Sequence, residues 1–219
     1  MARKTPVPAR LYVLAGVNGA GKSSIGGAAI RAAGGEYYNP DEAARALMAA
    51  NPGLGQPEAN AAAWQQGRKL LERAIHQRLD FSLETTLGGT TMPRLLAEAA
   101  SCGIEVRVFY MGLASADAHI ERVRQRVRAG GHDIPEADIR RRCRHSLLNL
   151  VQLLSALTEL RVYDNSATAD PAAGQAPLPV LVLHMQRGRI VGPPDLAGTP
   201  DWAKPIVAAA LKLRSGRSQ

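Results

Sequence analysis

The chain has 219 residues, 46% of them hydrophobic and 21% charged, the make-up of an ordinary globular protein long enough to bury a core. Lysine and arginine number 27 against 19 acids, and the net charge of +8 favours anionic partners such as nucleotides, nucleic acid or acidic surfaces. Aromatics at 4% supply few stacking platforms for single-stranded nucleic acid, and no apolar run nears the roughly 18 residues of a membrane span. Cys102 and Cys143 stand far apart with no ligand spacing, which points to reduced thiols and a cytoplasmic setting.

In chain order, Leu11 to Ala15 reads as a buried strand bounded by glycine, too short for the core of a signal peptide. Gly21 to Ala33 is a helix closed by Gly34 and Gly35, Glu36 to Tyr38 a second strand, and Asp41 the N-cap of the next helix. "NPGLGQPEAN" (51–60) is a surface loop, Ala61 to Leu79 a long helix, and "DFSLE" (80–84) a short strand. "MPRLLAEAAS" (92–101) is a helix, and "IEVRVFYM" (104–111) is a β-branched strand. Two helices follow between Ser115 and Leu157, with "AGGHDIP" between them, and "LRVYDNS" (160–166) is a strand and turn. Ala167 to Pro179 is an Ala/Pro-rich loop, "VLVLHMQRGRIVG" (180–192) a hairpin turning at Gly188, and Pro205 to Leu213 a helix before a frayed end. This alternation predicts an α/β fold: a parallel sheet with helices on both faces, antiparallel edge strands from the hairpin, and residues 115–158 as a helical lid on a single domain spanning 1–219.

Gly16-Val17-Asn18-Gly19-Ala20-Gly21-Lys22-Ser23 matches GxxxxGK[ST], after a strand and before a helix, as the motif requires. Such a loop turns successive backbone N–H groups inward at phosphate oxygens, and the helix start adds positive potential. Gly16, Asn18, Gly19, Ala20, Gly21, Lys22, Ser23 and Ser24 are therefore the expected nucleotide-binding residues of a P-loop NTPase or kinase. Lys22 would reach the β and γ phosphates and Ser23 would ligate Mg²⁺.

Ligands of parallel sheets gather at the carboxyl ends of the strands. Asn39-Pro40-Asp41, Glu84-Thr85-Thr86 and Asp164-Asn165-Ser166 are the polar groups predicted there. Asp41 suits a general base, or simply a helix cap. Glu84 suits Mg²⁺ through water, or substrate orientation, or a satisfied strand-end charge. Between Ser115 and His145 eight arginines face five acids, so the segment is only +3, and a nucleic-acid groove would usually be less well neutralised. Arg122 and Arg126 share one helix face and Arg124 and Arg128 a roughly opposite one, so only two or three of the eight are expected to act on phosphate. His132 and His145 have no metal-ligand spacing and read as structural.

Taken in order, "LAGVNGAGKSS", "YYNPDEAAR", "FSLETTLGG", "RVRQRVRAGGHDIPEADIRRRCRHSLLNL" and "VYDNS" resemble the zeta toxin family of P-loop kinases, from about Leu14 to Ser166. The resemblance implies a kinase that uses ATP or GTP with Mg²⁺ to phosphorylate a sugar hydroxyl, with UDP-N-acetylglucosamine as the best-known acceptor and a separate antitoxin protein as a partner. Carried over by motif, Lys22 and Ser23 serve the phosphates and Mg²⁺, and Asp41 is the base. Glu84, Thr85 and Thr86 lie along the substrate groove. Arg126 and Arg141 are the catalytic lid arginines, with Arg140, Arg142 and Arg144 as close rivals. The short "GGHDIPEADIRRR" lid resembles that of a compact chromosomal branch, which leaves another nucleotide-linked sugar or an antibiotic hydroxyl open as acceptor. Two further classes stand beside this reading. A nucleic-acid-associated NTPase or polynucleotide kinase would bind oligonucleotides with a steep salt dependence. A nucleotide-gated binding protein would show no transfer chemistry.

Overall fold

The computed structural model describes residues 7–32, 34–167 and 178–216, with side chains to residue 213. Four parallel strands, β1 (Arg10–Ala15), β2 (Phe81–Thr85), β3 (Glu105–Gly112) and β4 (Glu159–Asp164), are extended by an antiparallel hairpin of β5 (Val180–Gln186) and β6 (Arg189–Gly192). They form one sheet in the order β2-β1-β3-β4-β5-β6. A π-helical turn, Lys22–Gly27, leads into α1 (Ala28–Ala32). The other helices are α2 (Pro40–Ala50), α3 (Gln56–Gln77), α4 (Thr91–Ser101), α5 (Ala116–Arg128), α6 (Glu136–Leu153) and α7 (Lys204–Gly216).

Directly paired strand residues share a face, and the pairs Leu11–Val106, Val108–Leu160 and Val162–Leu183 are all buried. Against them pack Leu71 of α3, Leu96 of α4, Leu150 of α6 and Ile206 of α7, each sealed from solvent, and burying a side chain of that size stabilises by roughly 1.5–3 kcal/mol. The helices flank the sheet unevenly. On the opposite face Tyr12 pairs with Arg107 and Phe109 with Arg161, all half-buried, and each guanidinium lies over a ring at 5.8 Å and 5.7 Å respectively. The physical reason is in β3, where apolar and polar residues alternate as in a strand with one solvated face.

Three local expectations differ. Glu36 to Tyr38 contributes a single parallel bridge, Tyr38 with Leu83, because Gly34-Gly35 and Asn39-Pro40 leave too little chain between them for a strand. The loop expected over 51–60 ends at Gly55, since Pro57 sits comfortably in the first turn of α3, where no N–H is needed. The helix after the glycine loop opens as the π-helical turn. The Ala/Pro-rich stretch 168–177 and the chain end at 217–219 lie outside the described residues.

The hairpin and α7 brace β4. The Trp202 ring fills the space beside Gly112, where an added Cβ would lie 2.4 Å from the indole, and its Nε1 donates to Asp164 Oδ1 at 3.2 Å. Asp164 also accepts from the Ser166 N–H at 3.3 Å, so Asp164 and Ser166 close a turn after β4.

Candidate active site

The glycine loop hangs from the end of β1, and its shape is set by close backbone approaches. Gly16 has φ of 137°, and a Cβ there would lie 2.1 Å from the Met111 carbonyl oxygen of β3. Gly21 has φ of 92°, and a Cβ would meet Asn165 Nδ2 at 2.5 Å. Both positions exclude a side chain on conformation and on space. Asn165, just past β4, donates to the Ala20 carbonyl at 2.9 Å and pins the loop from the far side. Ser24 turns its exposed hydroxyl back to the Gly21 carbonyl at 3.3 Å.

Lys22 begins the π-helical turn and is buried, its Nζ donating to the Val17 carbonyl at 3.2 Å and lying 3.4 Å from Glu84 Oε1. Glu84 is held at the end of β2 by pairing with Leu14, and it too is buried. Its other oxygen accepts from the Ser23 hydroxyl at 2.8 Å, and Asn39 Nδ2 donates to Ser23 Oγ at 3.4 Å. A hydroxyl and a carboxylate oxygen side by side are hard donors of the kind Mg²⁺ takes alongside phosphates and water, so these residues fit that ion. Among the described residues no cluster of three His, Cys, Asp or Glu side chains could hold a metal by itself.

Asn39, not Asp41, caps α2. Its Oδ1 accepts from the Asp41 N–H at 3.0 Å and the Glu42 N–H at 3.4 Å, and Pro40 fills the first helical position. Capping by Asn39 leaves the Asp41 carboxylate without a backbone duty. That carboxylate, half-buried, lies 3.7 Å from Arg126 Nη1 on α5. Arg126 also donates to the His132 carbonyl at 3.3 Å.

The remaining arginines divide by partner. Arg142 Nη1 on α6 donates to Asn18 Oδ1 of the glycine loop at 2.8 Å, and burial pushes its guanidinium below the ordinary arginine range. Arg141 donates to Asp138 Oδ1 at 2.9 Å, and that bond lowers the Asp138 carboxyl below its ordinary value. Arg140 pairs with Asp117 at 2.5 Å, Arg124 with Glu136, and Arg128 with Glu121 at 3.5 Å, while Arg144 is exposed. Arg122 donates to the Asn165 carbonyl at 2.6 Å.

A cavity of about 450 Å³ runs from the glycine loop to these helices. Asn18, Lys22, Asp41, Glu84, Thr85, Thr86, Arg141 and Arg142 all line it, whereas Arg126 stands behind that lining, in contact with Asp41 and His132. The Thr85 and Thr86 oxygens accept the N–H groups of Leu87 at 3.1 Å and Gly88 at 3.3 Å, shaping the wall. Asn149 of α6 fixes the same loop by donating to the carbonyls of Leu87 at 2.7 Å and Gly89 at 2.9 Å. His132 lies on the cavity wall, so its place is not purely internal.

Sequence reasoning placed Asn39 near the site but gave its capping role to Asp41, and it passed over His119, Asn149 and Trp64. Asn39 had a signal, an Asn immediately before Pro at a helix start. His119 did not: it is buried on α5, its Nδ1 bonded to the Asn18 carbonyl at 2.9 Å. Burial, helped by the Lys22 and Arg122 charges, pushes its pKa down to about 4 from an ordinary 6.5. Because the folded value is the lower one, the unfolded chain takes the proton first. Stability from this residue is complete above pH 6.5 and lost as the pH falls toward 4, by roughly 3 kcal/mol in all. Urea unfolding at pH 7 and pH 4.5 should therefore show a smaller loss for His119→Asn than for the wild-type chain; equal losses would contradict this assignment.

Residues 11–145, more than half of the chain, match the AAA domain family. The chain belongs to that family. A relative of this AAA domain, an uncharacterized protein of Haemophilus influenzae, is 31% identical over 127 residues, which cover 55% of this chain and 83% of that one. Among solved structures, AvrRxo1-ORF1 in complex with AvrRxo1-ORF2 and sulphate ions superposes with a TM-score of 0.63 at 15% identity, covering 94% of this chain and 76% of that chain. The PezAT chromosomal toxin–antitoxin system of Streptococcus pneumoniae superposes with a TM-score of 0.53 at 14% identity, covering 74% and 69%. At such identities the likeness is one of fold, and the fold is that of P-loop NTPases and kinases. Among the described residues no helix is long and apolar enough to cross a membrane.

Proposed function

We propose that this AAA domain is a kinase of zeta toxin type, which moves the γ-phosphate of ATP, or of GTP in its place, onto a hydroxyl of a small molecule. A nucleotide sugar such as UDP-N-acetylglucosamine is the acceptor this reading favours. The observation that carries the proposal is Asp41: a carboxylate relieved of capping by Asn39, on the wall of the cavity that also contains Lys22. Asp41 takes the proton of the acceptor hydroxyl as its oxygen bonds to the γ-phosphorus and the bond to the nucleoside diphosphate breaks. Lys22 and the glycine-loop N–H groups hold the phosphates. Mg²⁺, held by Ser23 and beside Glu84, would supply charge for the β and γ oxygens when bound. Arg126 and Arg142 of the 115–158 segment face Asp41 and Asn18, and we assign them, rather than Arg141, the charge that develops on the transferred group. Arg141 stays on the acceptor wall. The segment acts as a lid that excludes water from a single kinase domain.

Support for ATP and for an antitoxin partner comes from similar folds: one neighbour, at a TM-score of 0.62, is AvrRxo1-ORF1:-ORF2 with ATP, and PezAT is a toxin–antitoxin system. A nucleic-acid groove is disfavoured because Arg124, Arg128, Arg140 and Arg141 are each neutralised by an acid. The test is mass spectrometry of UDP-N-acetylglucosamine incubated with ATP, Mg²⁺ and the protein. A product heavier by one phosphate is expected. Phosphorylated oligonucleotide ends with an unmodified sugar nucleotide would overturn the reading.

A further inference from the structure

Trp64 stands on the cavity wall with no place in the core. The residue is 39% exposed, and it belongs to none of the three buried apolar clusters among the described residues. Of the large apolar side chains exposed there, Trp64 is the one that lines the cavity. Its helix is fixed. Ala59 and Ala63 pack against Ala44 of α2, the helix whose first turn bears Asp41, and the Tyr38 hydroxyl donates to the Ala63 carbonyl at 2.5 Å. Asn60, one turn before Trp64 and so on the same helix face, lines the cavity too.

The flat indole of Trp64, the amide of Asn60, the carboxylate of Asp41 and four threonines, Thr85, Thr86, Thr90 and Thr91, therefore line one cavity. Aromatic faces take up the C–H face of a saccharide ring, while amides and carboxylates take its hydroxyls. We infer that Trp64 is the platform on which the sugar ring of the acceptor lies, with Asn60 bonding a ring hydroxyl, so that the reacting hydroxyl is presented to Asp41. The inference rests on the kinase reading above and adds to it the residue that selects a sugar.

The test measures steady-state transfer from ATP to two acceptors, UDP-N-acetylglucosamine and the base-free N-acetylglucosamine 1-phosphate, for wild type, Trp64→Ala and Trp64→Phe. Trp64→Ala is expected to raise the KM for both acceptors at least ten-fold, with the KM for ATP unchanged and kcat nearly so, and Trp64→Phe to recover most of the loss. An unchanged acceptor KM in Trp64→Ala overturns the platform and leaves the kinase standing. A rise confined to UDP-N-acetylglucosamine assigns Trp64 to the base and overturns the sugar assignment. Absence of transfer by wild type to either acceptor overturns the nucleotide-sugar reading and the inference with it.

Discussion

Asp41→Asn is expected to lower phosphate transfer by about 10²- to 10⁴-fold while leaving ATP affinity within a factor of two. The substitution keeps the shape of the side chain but removes the group that accepts the hydroxyl proton. Stability should hardly change. The Asp41–Arg126 pair is 3.7 Å apart with both side chains 36% exposed, and such pairs contribute no more than about 1 kcal/mol. Asn39 continues to cap α2. Single-turnover transfer and a nucleotide titration on the same preparation separate the two effects; a variant that loses both together would place Asp41 in nucleotide binding instead.

Lys22→Met is expected to abolish measurable ATP binding and also to destabilise the fold by about 3 kcal/mol. Two causes act at once. The phosphates lose their cation, and Glu84, itself buried, loses the ammonium 3.4 Å away. The causes separate in the double variant Lys22→Met with Glu84→Gln. Removing the stranded charge should restore most of the stability, because the carboxamide oxygen still accepts from the Ser23 hydroxyl, yet ATP binding should stay absent. Chemical denaturation and nucleotide titration of wild type and the two variants check this, and a double variant no more stable than Lys22→Met would contradict it.

The parts of the site legible in the sequence were those carried by short-range pattern. The glycine loop needs a strand before it and a helix after it, and all three signals lie within the stretch from Leu11 to Ala33. Glu84 and its threonines were legible because a short apolar strand ends there. What the sequence could not supply depended on how helices cross. Arginine side chains reach far enough that spacing along α5 and α6 does not decide which guanidinium meets the loop, and Arg142 reaches Asn18 only because the two helices pack around Ile139 and Val123. Asp41 and Asn39 are both good caps, and only the backbone geometry of α2 assigns the task to Asn39. Trp64 joins the site because Ala59 and Ala63 seat α3 on α2, a packing that no local pattern announces. Trp202 beside Gly112 is of the same kind.

The central claim is that the γ-phosphate goes to a hydroxyl with Asp41 as base. The most direct measurement follows γ-labelled ATP with UDP-N-acetylglucosamine and Mg²⁺, for wild type and Asp41→Asn, and asks where the label ends. The account predicts label in a phosphate ester of the acceptor with wild type, and its formation slowed by about 10²- to 10⁴-fold in a variant that still binds ATP. Label released only as inorganic phosphate, at the same rate in both proteins, would contradict it.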